Sequence, residues 1–395
     1  MEPKIRFKGF EDAWKNDIIK NISDTFSGGT PSVSNKLYYG GDIPFIRSGE
    51  INSIRTELSL TQLGLIESSA KMVRKGTLLY AMYGATSGEV GVSLVDGAIN
   101  QAILAIIPHN GINTHYLLYL LQKEKSNIVD TYLQGGQGNL SGKIIKDLEI
   151  HLPVYSEQLT IASFFQSIDA QITSSKSRLA SLKQIKVASL QSMFPQEGET
   201  VPKVRFKGFE GEWTNKSFGK LYKRSSIKND LSFDSSKIIS VANMYFNGGE
   251  NIVDEAYLLT YNVMKLGDIA FEGHSNKSFA HGRFVENCIG DGIVSHIFVV
   301  FSPISEKYDI DFWKYYINNE SIMGAKLARC TKSSTMMKDL VVNDFLKESI
   351  LVPSIDEQKA IASFFRSLDR KISLETARLE KLKQIKAACL DKMFV

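Results

Sequence analysis

The side chains with the most to offer chemically lie in a few short polar runs. Gly135-Gly136-Gln137-Gly138-Asn139-Leu140-Ser141-Gly142-Lys143 places two amides, a hydroxyl and a lysine on a glycine-rich stretch. Amides present paired donors and acceptors that suit base edges, and a lysine suits a phosphate. A later run, Arg329-Cys330-Thr331-Lys332-Ser333-Ser334-Thr335, is again polar and cationic and reads as the matching loop. A solvated connection would explain either run alone. Their shared place, each just before a strand that leads into a long helix, favours binding for both. Gly28-Gly29-Thr30-Pro31-Ser32 exposes backbone N–H groups and hydroxyls that suit a phosphate oxygen, and reads about equally well as a plain glycine turn. Tyr83-Gly84-Ala85-Thr86 matches Gly273-His274-Ser275-Asn276-Lys277 by position, as Asn100-Gln101 matches Ser295-His296. The candidate nucleic-acid contacts are Thr30, Ser32, Tyr83, Thr86, Gln137, Asn139, Ser141 and Lys143 in the first half, to which the cations Lys36 and Arg47 are added. In the second half they are Lys277, Arg283, Arg329, Lys332 and Ser333.

Catalytic and metal readings find little support. His274, His281 and Cys288 are seven residues apart, which matches no common ligand spacing. Gly142-Lys143 is followed by Ile144 and position 137 is not glycine, so there is no Walker A loop. None of the nine prolines neighbours another and none precedes an aspartate. That removes the Asn-Pro-Pro-aromatic motif of amino-methyltransferases and the usual Pro-Asp nuclease pattern. Three cysteines without CxxC spacing fit a reducing compartment and no structural zinc. Apolar runs such as 102–108 and 297–301 fall well short of the roughly 20 residues a membrane span needs. The expectation is a soluble cytoplasmic binder with no metal site and no membrane partner.

Bulk charge does not reveal the partner. The net charge is +4, yet 15–151 and 214–351 are each electrically balanced, so any nucleic-acid reading must rest on local features.

Self-similarity at a spacing of about 200 residues organises the chain. Lys4-Ile5-Arg6-Phe7-Lys8-Gly9-Phe10-Glu11 returns as Lys203-Val204-Arg205-Phe206-Lys207-Gly208-Phe209-Glu210, and Trp14 matches Trp213. Glu157-Gln158, 161–165, 182–186 and Met193-Phe194 return as Glu357-Gln358, 361–365, 382–386 and Met393-Phe394. Each of these later blocks reads as one long helix. Pro153 and Pro353 stand before it, Ser156 and Asp356 are suitable N-caps, and Glu157 and Glu357 favour the first turn. Phe165, Ile172, Leu179 and Leu182, with Phe365, Ile372, Leu379 and Leu382, lie on apolar stripes stepping by three and four. At about 1.5 Å per residue each helix is roughly 58 Å long, too long to be the core of one small body. Two amphipathic helices packed separately remain an alternative. A mutual antiparallel coiled coil accounts better for the repeat, and it would bring the C-terminal helix end beside the Pro3-Lys4-Ile5 segment.

The stretches between these blocks look strand-rich. Ile43-Pro44-Phe45-Ile46-Arg47 reads as an edge strand tolerating a proline, and 76–80 and 102–107 as strands. A helix over 113–128 opens at Asn113 or Thr114, and another starts near Asp309 in the second half. The expected class is α/β (α+β): strand-rich globular bodies at 1–151 and 214–351, long helices at 152–194 and 352–395 forming an antiparallel coiled coil, and a connector at 195–213.

Taken in order, these motifs resemble the DNA-specificity subunits of type I restriction-modification systems, over essentially the whole chain. The resemblance rests on Ser27-Gly28-Gly29-Thr30-Pro31-Ser32, Gly41-Asp42-Ile43-Pro44-Phe45-Ile46, Tyr83-Gly84-Ala85-Thr86-Ser87-Gly88, Asn100-Gln101-Ala102, and the paired Pro153/Glu157-Gln158 and Pro353/Glu357-Gln358 blocks. The second half departs from it, lacking Gly-Gly-Thr-Pro and carrying Ser295-His296 in place of Asn-Gln. The resemblance implies a non-catalytic chain that binds double-stranded DNA and reads an asymmetric bipartite site with two target-recognition domains. It implies two modification subunits carrying S-adenosylmethionine and two restriction subunits using ATP and Mg, with no cofactor on this chain. A specificity subunit whose partner both methylates and cleaves would look the same, and a coiled-coil scaffold without DNA binding is the remaining alternative.

Overall fold

The computed structural model describes residues 2–133, 139–247, 254–305, 308–333 and 337–395. The chain divides into two compact units, one of Met1–Lys176 with Ala377–Val395, the other of Ser177–Thr376.

In the first unit, strands Ser23–Ser27, Ile103–Pro108, Leu78–Ala81 and Val90–Val92 lie side by side in that order, all antiparallel. Leu78–Ala81 is buried throughout, as are the first four residues of Ile103–Pro108, because both faces are covered. A second sheet has the order Leu58–Leu60, Tyr39–Ile46, Gly97–Ile99, Lys71–Val73. Ile46, Val73 and Ile99 from this sheet pack with Leu79, Ala81, Ile103 and Ala105 from the first. The strand holding Pro44 is therefore internal, not the edge strand its proline suggests. Pro44 faces only Ser59, and pairing with Gly97–Ile99 starts one residue later at Phe45, so the missing N–H removes no bond on that side.

The second unit repeats the first sheet with Tyr222–Ser225, Val299–Pro303, Ile269–Glu272 and Arg283–Glu286 in the same order. Its second layer is reduced to the pairs Ile239–Ser240 with Tyr245–Phe246 and Asn262–Met264 with Gly292–Val294, joined by a parallel bridge from Ile238 to Ile293. Each body is closed by a two-stranded ribbon, Lys15–Ile18 with Glu149–Leu152 and Thr214–Ser217 with Ser349–Val352. The helix expected at 113–128 spans Thr114–Leu133, with Asn113 Oδ1 accepting from Tyr116 N. Its counterpart is Ile310–Tyr316, capped by Asp309.

The long helices span Tyr155–Ser192 and Ile355–Met393. They begin one residue before the expected caps. Glu157 N and Gln158 N donate to Val154 O, and Glu357 N donates to Ser354 Oγ, so Ser156 and Asp356 lie inside the first turn. The start is set by the glutamine and the proline: Gln158 Nε2 donates to Pro153 O at 3.0 Å and Gln358 Nε2 to Pro353 O at 3.1 Å. The two buried glutamates face half-buried arginines. Arg6 grips Glu157 through Nε and Nη2 at 2.8 Å each, and Arg205 grips Glu357 at 2.7 and 2.8 Å.

Within each unit the early part of one long helix runs antiparallel to the late part of the other. In the first, Phe165 stacks on Phe394 at 5.8 Å and Asp169 pairs with Lys386. In the second, Phe194 stacks on Phe365 at 5.8 Å and Lys186 pairs with Asp369. Phe165, Ile172, Phe365 and Leu379 are buried, while Leu179, Leu182, Ile372 and Leu382 are half-buried. The C-terminal helix end meets the N-terminal segment as expected: Ile5 N donates to Lys392 O at 2.9 Å, repeating Val204 N to Ser192 O at 2.9 Å in the other unit.

Candidate nucleic-acid interface

One end of the first body's central sheet gathers most of its polar candidates. Where the strands Ile103–Pro108 and Leu78–Ala81 begin and end, Met82 N donates to Ala102 O at 2.8 Å and Leu140 N donates to Met82 O at 3.0 Å. Asn139 pairs with Tyr83 as an isolated antiparallel bridge. Tyr83, Thr86, Asn139, Ser141 and Lys143 thus share one rim. Glycine is required in the turn between them, since Gly84 and Gly88 have φ of 79° and 84°. Ser141 Oγ accepts from Ile144 N at 3.3 Å and caps the short helix Gly142–Lys146, which leaves Lys143 exposed on it. Gln137 lies outside the described residues.

The same rim continues to Thr30, whose hydroxyl donates to Gln101 Oε1. Both glycines of this run are tightly packed. A Cβ on Gly28 would sit 1.8 Å from Ile99 O, one on Gly29 would sit 1.9 Å from Ser69 Oγ, and Gly29 N is already spent on Ile99 O. These glycines exist for close packing. Ser32 shares a hydrogen bond with Ser34, and Lys36 stays exposed. Arg47 is held by Glu50 at 3.1 Å and also by Glu57, and its pKa is raised by those bonds, Glu50 first. It is neutralised within its own body.

In the second body Lys338 N donates to Gly273 O at 2.8 Å, the counterpart of Leu140 N to Met82 O. The 329–335 run is not a loop over its described part. Arg329 lies in the last turn of the helix Glu320–Cys330, and Thr331–Ser333 is a strand paired with Lys338–Leu340. Arg329 makes a two-point contact with Glu348, 2.8 Å at each nitrogen. Arg283 donates to Glu272 at 2.6 Å and to Ala242 O at 2.7 Å, and lies over the Phe279 ring. Ser333 Oγ accepts from Lys338 Nζ. Three of the sequence candidates, Arg47, Arg283 and Arg329, are thus committed to carboxylates. Lys36, Lys143, Lys277 and Lys332 make no ion pair among the described residues and are exposed. No group of three or more histidine, cysteine, aspartate or glutamate residues placed to hold a metal occurs among the described residues.

Sequence reading missed the Arg6–Glu157 and Arg205–Glu357 pairs. The available sign was that both members recur in the repeat, which a macrodipole role for the glutamates alone does not require. Gln101, the acceptor for Thr30, reads in the sequence only as part of the Asn100-Gln101 motif.

A family model for the type I restriction modification DNA specificity domain matches residues 11–184 and 281–384. The MjaIX specificity subunit of a type I restriction enzyme from Methanocaldococcus jannaschii is 25% identical over 96% of this chain and 92% of its own length. The EcoR124I/EcoR124II specificity subunit from Escherichia coli is 25% identical over 42% of this chain and 43% of its own length. Among solved structures, the S subunit of a type I system from M. genitalium superposes with a TM-score of 0.61 at 14% identity, covering 100% of this chain and 99% of that one. A chain from a structural study of type I complex assembly gives 0.55 at 12% identity, over 98% of each. These likenesses establish the same fold.

Proposed function

Because the chain belongs to the type I restriction-modification DNA specificity family, we propose that it reads an asymmetric two-part duplex site, one half with the body at 1–151 and the other with the body at 214–351. The carrying observation is that both bodies keep the same sheet order and the same backbone link at the rim, Leu140 N to Met82 O and Lys338 N to Gly273 O, while the rim side chains differ. A common scaffold with unlike rims suits two unlike half-sites. In the first body Asn139, beside Tyr83, reads base edges together with Gln137, while Tyr83, Thr86, Thr30, Ser32, Ser141 and the exposed Lys36 and Lys143 approach the backbone. In the second, Lys277, Lys332 and Ser333 take these roles. Arg47, Arg283 and Arg329 act by holding the rim in shape.

The long helices at 152–194 and 352–395 serve the partners. Lys183, Gln184 and Ile185 are exposed, as are their identical counterparts Lys383, Gln384 and Ile385. Exposed residues repeated in this way suit two copies of one partner. Two modification subunits bringing S-adenosylmethionine and two restriction subunits using ATP and Mg fit this plan, in the cytoplasm. The chain itself supplies specificity and no catalysis.

The test is to map methylated adenines in a host carrying the complete system and to assay the purified chain alone. A two-part asymmetric motif, with no methyl transfer, ATP hydrolysis or cleavage by the isolated chain, is expected. A continuous or palindromic motif would overturn the two-reader proposal, and methyl transfer by the chain free of other subunits would overturn the non-catalytic one.

A further inference from the structure

We propose that two Tyr–Asp–Lys clasps, Tyr119–Asp169–Lys386 and Tyr315–Asp369–Lys186, are positioning elements for DNA reading, and that each lysine serves the body of the other repeat. In the first unit, Tyr119 stands on the body's helix Thr114–Leu133, Asp169 on the first long helix and Lys386 on the second. Tyr119 OH donates to Asp169 Oδ2 at 2.9 Å, and Lys386 Nζ lies 2.7 Å from Oδ1 and 5.2 Å from the tyrosine ring centre. In the second unit Tyr315 OH donates to Asp369 Oδ2 at 2.6 Å, and Lys186 Nζ lies 2.6 Å from Oδ1 and 5.5 Å from the ring.

Each clasp joins three elements at one carboxylate and occupies both its oxygens. The apolar contacts around it, such as Tyr119 against Phe165 at 5.0 Å, resist separation but tolerate sliding. A charge-assisted bond to each oxygen does not, because a slip of one helical turn, about 5.4 Å, breaks both. Burial and then the aspartate bond push both tyrosine hydroxyls far above their ordinary pKa, so they remain donors. The tyrosines occupy corresponding helix positions, three residues after Tyr116 and Phe312, in bodies that otherwise share little sequence. None of the six residues belongs to the rim.

The consequence is a crossed assignment: a change at 386, in the second repeat, acts on the first body. This inference rests on the DNA-reading proposal above. The test uses the full chain assembled with its modification subunit and salt-controlled binding to duplexes varied one base pair at a time. A photo-crosslinker at position 139 or 332 assigns each half-site to its body. Lys386→Met is expected to lower discrimination about tenfold in the first body's half-site alone, and Lys186→Met in the second body's alone. Lys386→Arg should restore most of the loss, since a guanidinium also reaches a carboxylate. Tyr119→Phe, which removes only a hydroxyl and keeps the core filled, should reproduce the half-site pattern should Lys386→Met fail to fold. Loss in both half-sites, loss in the half-site of the lysine's own repeat, or equal weakening of matched and mismatched DNA would overturn the inference, the last being what a purely structural tie gives. Absence of any base preference in the unaltered complex would defeat the DNA-reading proposal itself.

Discussion

The two bodies share a skeleton but fill it differently. Phe345 in the second stacks on Phe218 and Phe284 at 4.4 Å each and lies 5.1 Å from Phe301. By strand register and backbone bonds, the first body holds Ile145, Ile19, Val90 and Ile106 in these places. An aromatic cluster and an aliphatic one therefore support the same four-strand order, because the pattern of inward positions, not their identity, specifies it. A second set of positions breaks the pattern altogether. Ser23, Val92 and Ile112 in the first body correspond to Tyr222, Glu286 and Tyr308 in the second, where Tyr308 OH donates to Glu286 at 2.6 Å and shares a bond with Tyr222 OH at 2.7 Å. The invariant part is the Arg–Glu pair that fastens the segment before each body to its long helix.

The strongest challenge to this likeness is to remove that fastening in each unit. Glu157 and Glu357 have side chains 0% and 2% exposed, so deleting the arginine strands a buried carboxylate. Arg6→Ala should cost the first unit about 3 to 5 kcal/mol, and Arg205→Ala the second unit a similar amount. Denaturant unfolding read by hydrogen exchange in each unit checks both. A mutation that leaves its own unit unchanged would show that the matched geometry does not carry matched energy.

A smaller effect should separate the units by pH. Glu286 is 2% exposed and makes no ion pair among the described residues; burial raises its pKa well above the ordinary carboxylate value, the Tyr308 bond opposes this, and Cys288, Asp309 and Asp311 add to it. The folded state thus holds a proton that the unfolded chain releases near pH 4.3. The stability this proton confers is complete below that pH and falls as pH rises toward the folded pKa, by up to about 1.4 kcal/mol for each pH unit. Glu286→Gln keeps an acceptor for Tyr308 and should flatten the second unit's profile relative to the unaltered chain. The first unit, with Val92 at this place, should show no difference between the two proteins. Parallel stability–pH curves for the second unit with and without the substitution would defeat the assignment.

What the sequence disclosed divides along the same line. The long helices, the Thr114–Leu133 helix and its Asp309-capped counterpart, and the meeting of Ile5 with Lys392 all follow from repetition and periodicity, which are local or self-comparing signals. The cap positions were misplaced because the turn is organised by Gln158 and Gln358 bonding back to proline carbonyls, which outweighs the preference of Ser156 or Asp356. The internal strand at Pro44 escaped because its tolerance depends on where a neighbouring strand begins to pair. Arg283 and Arg329 read as candidate nucleic-acid contacts because their carboxylates, Glu272 and Glu348, stand 11 and 19 residues away. A cation's availability is a tertiary property, so the sequence could give its type and not its freedom.

That distinction leads to the finest comparison, between base reading and charge on a single rim. The backbone of Asn139 is fixed by its bridge to Tyr83 and its side chain is exposed, whereas Lys143 projects from a five-residue helix with no ion pair among the described residues. Asn139→Ala should cost about 1 to 3 kcal/mol and relax choice at one base pair of one half-site. Gln137→Ala is expected to act in the same way, at one base pair of the same half-site. Lys143→Ala should weaken all sequences alike and lower the slope of log affinity against log salt by about one. Arg47→Ala, although it removes a full charge, should leave that slope nearly unchanged, because Glu50 and Glu57 already neutralise it. A salt-titrated binding series on duplexes varied one base pair at a time measures all four. A slope change from Arg47→Ala equal to that from Lys143→Ala would mean the carboxylates release the arginine to DNA, and the separation between structural and contacting cations on this rim would fail.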